Sequence, residues 1–193
     1  MENSIHKRII KRISSYAPGS VFVTSDFSDI AAQSTVSKSL CRLCDDGLLR
    51  HVMQGVFWLP DKNAHPSPDR VAHAIARSKA WRIMPSGKTA LYLLGFEAER
   101  PKKWTYVTNG TYRRYAYGEY NIEFNNTVSR FIDAISDTSA LLIQVLKAYG
   151  KKSVSEERLK RIKAHFAGAE TVIMNELHDT TEWIADAIAK MFS

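Results

Sequence analysis

Ile5, Ile9, Ile10 and Ile13 recur at helical spacing between Lys7, Arg8, Lys11 and Arg12, which predicts a helix over 4–16 with one apolar stripe and one basic face. Pro18-Gly19 ends it. Val21-Phe22-Val23 is a short β-prone run, after which Thr24-Ser25-Asp26 offers N-cap chemistry to a brief helix carrying Phe27, Ile30 and Ala31. Apolar positions then return at Val36, Leu40 and Leu43, predicting a third helix from Thr35 to Asp46, with Gly47 where a left-handed stop falls. Leu48–Val52 and Val56–Leu59 are strand-like runs joined by Met53-Gln54-Gly55, the length and glycine placement of a tight hairpin. Helix, strand, short helix, turn, helix, hairpin is the order of elements in a winged helix-turn-helix.

After Pro60 the polar stretch Asp61-Lys-Asn-Ala-His-Pro-Ser67 reads as a domain boundary. Ser67 as N-cap and Pro68 at the first helical position open a helix to about Lys79, with Val71 and Ile75 facing inward. An extended Trp81–Met84, a turn at Pro85-Ser86-Gly87 and a short helix over Thr89–Phe96 follow. The period then changes to two: Trp104–Thr108, Thr111–Tyr117 and Tyr120–Phe124 read as strands, with Asn109-Gly110 as a hairpin signal between the first pair. The rest is helical. Phe131, Ile132, Ile135, Leu142, Val145, Leu146 and Tyr149 fit one or two helices ending at Gly150, Ser153-x-x-Glu156 reads as a capping box, and Leu177, Ile184, Ile188 and Met191 mark a last amphipathic helix. The fold class expected is α+β: a winged helix-turn-helix at 1–60, a mixed helix and antiparallel-sheet domain at 65–125, and a helical extension at 126–193.

With 193 residues, 45% of them hydrophobic, the chain can bury sizeable cores. No apolar run reaches the roughly 20 residues needed to cross a bilayer, and the start lacks a signal-peptide apolar stretch, so a cytoplasmic protein is expected. Cys41 and Cys44 lie three apart on one predicted helix, which suits a reducing compartment rather than a disulfide framework. The net charge of +7 favours a polyanionic partner. Its distribution sharpens this: Lys/Arg outnumber Asp/Glu by seven to five in residues 1–60 and eleven to five in 61–120, against nine to ten in 121–193.

The physical case for DNA as that partner rests on the third helix. At about 100° per residue, Val36, Leu40 and Leu43 cluster on one side while Ser34, Thr35, Lys38 and Arg42 point away. Small hydroxyl residues, Ser37 included, let a helix approach base edges closely, and Lys38 and Arg42 can then reach a guanine or a phosphate. Arg50, His51 and Gln54 on the wing can hold the neighbouring backbone or minor groove. Lys102, Lys103, Arg113 and Arg114, interleaved with aromatics, are candidates for a second anion- or partner-contacting set. The alternating tyrosines among them are read as core of a sheet packed on helices.

Three other constellations point elsewhere and fall short. Ser86-Gly87-Lys88-Thr89 is half of a phosphate-binding loop, because the position needing the earlier glycine is Arg82. Cys41-Arg42-Leu43-Cys44 has redox spacing but lies mid-helix, away from the N-terminal dipole that lowers a thiol pKa, and zinc would need two further ligands. The histidines form no paired motif. No catalytic set, metal site or cofactor site is expected, and the chain reads as a non-enzyme.

Val23-Thr-Ser-Asp-Phe27, Ser39-Leu-Cys-Arg-Leu43 leading to Asp46-Gly-Leu-Leu-Arg50, Gly55-Val-Phe-Trp-Leu-Pro60 and Pro85-Ser-Gly-Lys-Thr-Ala-Leu-Tyr-Leu-Leu-Gly95 together resemble the AbiEi-like antitoxins of bacterial type IV toxin–antitoxin (abortive infection) systems. The similarity covers roughly residues 5–125, and the last third carries no shared motif. The resemblance implies an N-terminal winged helix that represses its own operon by binding inverted repeats in the promoter, and a C-terminal domain that counters a nucleotidyltransferase-like toxin. It places Ser34, Thr35, Lys38 and Arg42 on the recognition helix and Arg50 to Gln54 on the wing. Inverted repeats require two copies on one site, through a homodimer or cooperative loading. The rival readings are a winged helix that docks a protein partner and a plain transcription factor without a toxin.

Overall fold

The computed structural model describes residues 2–61, 65–127, 132–177 and 180–192, the side chains of 2 and 3 aside. It divides into two units, 1–81 and 82–193. The chain is α+β in both.

In the first unit, α1 (Glu2–Ile13) leads to β1 (Val21–Val23), a 3-10 turn (Thr24–Phe27), α2 (Gln33–Asp45), β2 (Arg50–Met53), β3 (Val56–Trp58) and α3 (Pro68–Ser78). The brief second helix expected from the sequence is only that 3-10 turn. Asp26 organises it by accepting the Val23 amide at 2.9 Å. α2 closes as a Schellman cap: Gly47, at φ 76°, donates to Cys44, and Leu48 donates to Leu43. Gln54-Gly55 turns β2 into β3, with Met53 opposite Val56 and Gly55 at φ 75°. The strand order β1-β3-β2, antiparallel throughout, puts the wing hairpin at one edge. Ile9 and Ile13 of α1, Phe22, Phe27, Val36, Leu40, Leu43, Leu49 and Phe57 form one core.

α3 belongs to this unit, which moves the boundary from the expected Pro60 link to residue 81. The helix packs on β1, β3 and the 3-10 turn. Val71, Ala72, Ala74, Ile75 and Ala76 are buried. Arg77 forks onto Asp26 at 3.0 Å and also donates to the Val21 carbonyl, while Arg70 donates to Gly19 O. These partners lie 51 to 56 residues apart in the chain, so no local pattern announces them.

In the second unit, β4 (Ile83–Pro85) and α4 (Gly87–Leu93) precede β5 (Lys103–Thr108), β6 (Arg113–Tyr117) and β7 (Tyr120–Asn126). The sheet order is β4-β5-β7-β6, and β5 pairs with β7 in parallel, so the sheet is mixed rather than antiparallel. The expected hairpin at Asn109-Gly110 does not form. β5 pairs with β4 and β7, and β6 pairs with β7, so no ladder joins the strands on either side of that dipeptide. Asn109 instead accepts the Arg82 amide through its side chain and donates to Asp133. The two-residue turn is Gly118-Glu119, with Gly118 at φ 56° and Tyr117 opposite Tyr120.

Trp104 and Tyr106 of β5 lie beside Ile122 and Phe124 of β7 on a buried face. The helices α5 (Asp137–Tyr149), α6 (Glu156–His165), α7 (Glu170–Glu176) and α8 (Glu182–Phe192) complete the unit. Leu142, Ile143, Val145 and Leu146 of α5 pack with Ala90 and Leu91 of α4 and with the later helices. The helices α5 to α8 are therefore no separate extension; they share a core with α4. Phe131 lies outside the described residues, and Ile132 and Ile135 precede α5, which starts after Ser136 caps the Ser139 amide. The N-cap of α6 is Ser155, which accepts from Arg158, not Ser153, whose carbonyl takes the Arg158 guanidinium.

Candidate nucleic-acid interface

The burial of α2 divides as a helix with one locked face and one open face. Val36 and Leu40 are 0% exposed and Leu43 is 1% exposed, while Ser34, Lys38 and Arg42 are exposed on the other side. Thr35 and Ser37 are half-buried at the edges. Ser39, on the locked face, is held to α1 by a 2.6 Å hydrogen bond with His6 Nδ1. This tie adds a polar contact to the apolar seat of Val36, Leu40 and Leu43, which sets the rotation of α2 about its own axis.

The N-cap of α2 is Ala32, with no side-chain cap, and the Thr35 amide turns back onto the Ala32 carbonyl at 2.9 Å. The charge along the open face is graded. Lys38 and Arg42 lie in the first three turns, and the exposed Asp45 and Asp46 follow roughly 17–18 Å from Ser34 at 1.5 Å per residue. Such a helix tolerates a polyanion at its N-terminal half and repels it at the C-terminal end.

On the wing, Arg50, His51 and Gln54 are all exposed. Arg50 lies opposite Trp58 and places its guanidinium 6.0 Å from that ring, and His51 sets its ring 4.8 Å from Phe57. Both polar groups thus rise from an aromatic base rather than from a loose loop. On α1, Lys7, Arg8 and Lys11 are exposed, whereas Arg12 is committed to a bidentate pair with Asp29 at 2.6 Å. That hydrogen bond holds Asp29 below the usual carboxylate range.

The second candidate set divides differently. Lys102 and Arg113 are exposed. Lys103 and Arg114 both pair at 3.0 Å with Glu123, a carboxylate only 6% exposed on β7. Burial alone would push the Glu123 pKa up, but the hydrogen bonds and charges of Lys103 and Arg114 outweigh it and hold the group below its ordinary 4.5. Those two cations are themselves more than half exposed, but both are paired with Glu123, so half of the second set is already engaged by a carboxylate of the same sheet. Tyr106 is fully buried as core, whereas Tyr112 is 52% exposed.

Ser86-Gly87-Lys88-Thr89 is an internal joint. Thr89 is buried and its hydroxyl accepts the Thr105 amide at 2.8 Å, and the Thr105 hydroxyl donates to Ser86 O. Cys41 and Cys44 are free thiols packed at the edge of the first core, and burial pushes Cys44 up. Among the described residues no group of three or more His, Cys, Asp or Glu could hold a metal ion, and no helix is long and apolar enough to cross a membrane.

Sequence reasoning located the open face of α2 and the wing, but missed the long-range polar ties within the same unit. The His6–Ser39 bond and the Asp26–Arg77 fork join residues 33 and 51 positions apart. Their only trace in the sequence is a polar residue, Ser39, on an otherwise apolar stripe.

The fold and its open helix face define an α+β protein whose first unit follows the element order of a winged helix, with a 3-10 turn in place of the second helix. Residues 8–172 match a family described as a family of unknown function (DUF6088), and the chain belongs to it. No curated protein matches the chain.

Proposed function

We propose that this protein binds double-stranded DNA through α2 and the wing and represses its own operon as the antitoxin of a type IV toxin–antitoxin pair. The observation that carries the DNA reading is the division of α2: its apolar face is sealed, and Ser34, Lys38 and Arg42 are presented to solvent. Lys38 and Arg42 read a base edge or a phosphate, with Ser34, Thr35 and Ser37 allowing close approach. Arg50, His51 and Gln54 hold the flanking backbone. The antitoxin role rests on the resemblance of residues 5–125 to AbiEi-like proteins, and the reading assigns no catalytic chemistry, metal or cofactor to the chain.

Fluorescence anisotropy with the DNA upstream of the protein's own gene tests the first part. Lys38→Ala or Arg42→Ala should weaken binding by about 1–3 kcal/mol where the residue reads a base, with melting unchanged. The log–log salt slope should be steep, near 0.9 per phosphate contacted, by the usual counterion estimate of roughly that size. Unchanged affinity in both variants refutes the assignment, and a flat salt dependence favours the rival in which the winged helix docks a protein. Co-expression with a neighbouring nucleotidyltransferase-like gene tests the second part: growth restored by this chain supports an antitoxin, and growth still arrested leaves a plain transcription factor.

A further inference from the structure

The near neutrality of the last third conceals a segregation. Between residues 147 and 163 there are seven Lys/Arg against two Glu, and the remaining acidic residues of that third lie on either side. Lys147, Lys151, Lys152, Lys160, Arg161 and Lys163 are all exposed. Within this field a groove of about 490 Å³ opens between α6 and α8. Its apolar lining is Val154, Leu159 and Met191, and its cations are Lys160, Lys163 and Lys190. Glu156, in the first turn of α6, is the carboxylate that lines it.

We infer that the α6–α8 groove is a docking site for an acidic segment of a partner protein, one that inserts a large apolar side chain between flanking carboxylates. The two halves of the lining select this occupant. A ring of ammonium groups attracts polyanions of every kind, but Val154, Leu159 and Met191 gain only from an apolar surface that a phosphodiester backbone does not offer. A leucine or phenylalanine on an acidic segment offers both, in the manner of an anchored peptide in a groove. The exposed Lys151 and Lys152 lie just before Val154 in the chain, where a small anion would leave them unused and an extended acidic segment would not. The site stands on the second unit and does not depend on whether the first binds DNA.

The test uses the full chain and a fluorescein-labelled peptide, Glu-Glu-Leu-Glu-Glu-Phe-Glu-Glu, read by anisotropy, beside a control peptide with serine in place of leucine and phenylalanine. The wild type should bind the first peptide, and the control should bind about tenfold more weakly, because its carboxylates remain and its anchors do not. Lys160→Glu with Lys163→Glu should weaken the first peptide by about tenfold or more, since reversal replaces attraction by repulsion at the rim. Lys160→Ala with Lys163→Ala should move affinity the same way by less, which guards against a folding defect in the reversed variant. Four results would each overturn the inference: no peptide binding by the wild type, equal binding by wild type and both double variants, equal binding of the two peptides, or a loss of duplex-DNA affinity in the reversed variant as large as its loss for the peptide.

Discussion

Ile75→Ala probes which unit α3 stabilises. Ile75 is buried on the face of α3 that packs against β1, β3 and the 3-10 turn. The change deletes three carbons from a filled site, which at about 0.8 kcal/mol per buried CH₂ plus a cavity term amounts to about 3 kcal/mol. At 1.4 kcal/mol per factor of ten, amides that exchange only on unfolding of the first unit should lose about a hundredfold in protection. Hydrogen exchange read by mass spectrometry resolves this by segment. Peptides spanning β1 and β3 should exchange faster by that factor, while peptides spanning β5 and β7 keep their wild-type rates. Undiminished protection in β1 and β3, or an equal loss in β5 and β7, would refute the assignment of α3 to residues 1–81.

Leu40→Ala should destabilise the first unit by about 2–5 kcal/mol and abolish DNA binding, since it removes the side chain that seats α2, whereas Lys38→Ala should leave the thermal midpoint essentially unmoved. Glu123 and Glu176 are both held below their ordinary 4.5, Glu123 by Lys103 and Arg114 against its burial, Glu176 by hydroxyl hydrogen bonds from Ser139 and Ser136. A depressed carboxylate stabilises the fold fully above its unfolded value and less as pH falls through the folded one. Urea midpoints should therefore drop on acidification below 4.5, and the drop should be smaller in Glu123→Gln. Gly118→Val forces a β-branched residue to φ 56°, a strain of about 1–2 kcal/mol that thermal melting should register.

The chain announces what is local and hides what is remote. The stripe of Val36, Leu40 and Leu43 and the stop at Gly47 are encoded within a few residues and stand as the pattern predicts, while the expected Met53-Gln54-Gly55 loop is one residue shorter because Met53 pairs with Val56 at the end of β2. Strand partnership is different. Nothing in Trp104–Thr108 says that its neighbour is β7 rather than β6, because both carry the same alternation of aromatics. The dipeptide Asn109-Gly110 has hairpin composition, yet Asn109 finds better use holding the Arg82 amide and Asp133. α3 looked like the start of a new domain because a polar linker precedes it, and its allegiance is settled by Arg70 and Arg77, which reach back to β1 and its flanks. The candidate cations divide the same way: their exposure follows from periodicity, but the capture of Lys103 and Arg114 by Glu123 depends on three strands lying side by side.

The interposition of β7 between β5 and β6 sets an order on assembly. When β5 leaves the ribosome only β4 is there to pair with it, and its other edge, with Trp104 and Tyr106 along the strand, stays open until the chain has passed residue 126. The β6–β7 hairpin can close by itself across Gly118-Glu119, and it must then dock as a ribbon onto that waiting edge. A nascent chain stalled between the two steps carries an unsatisfied strand flanked by aromatics, the state most exposed to pairing with another copy.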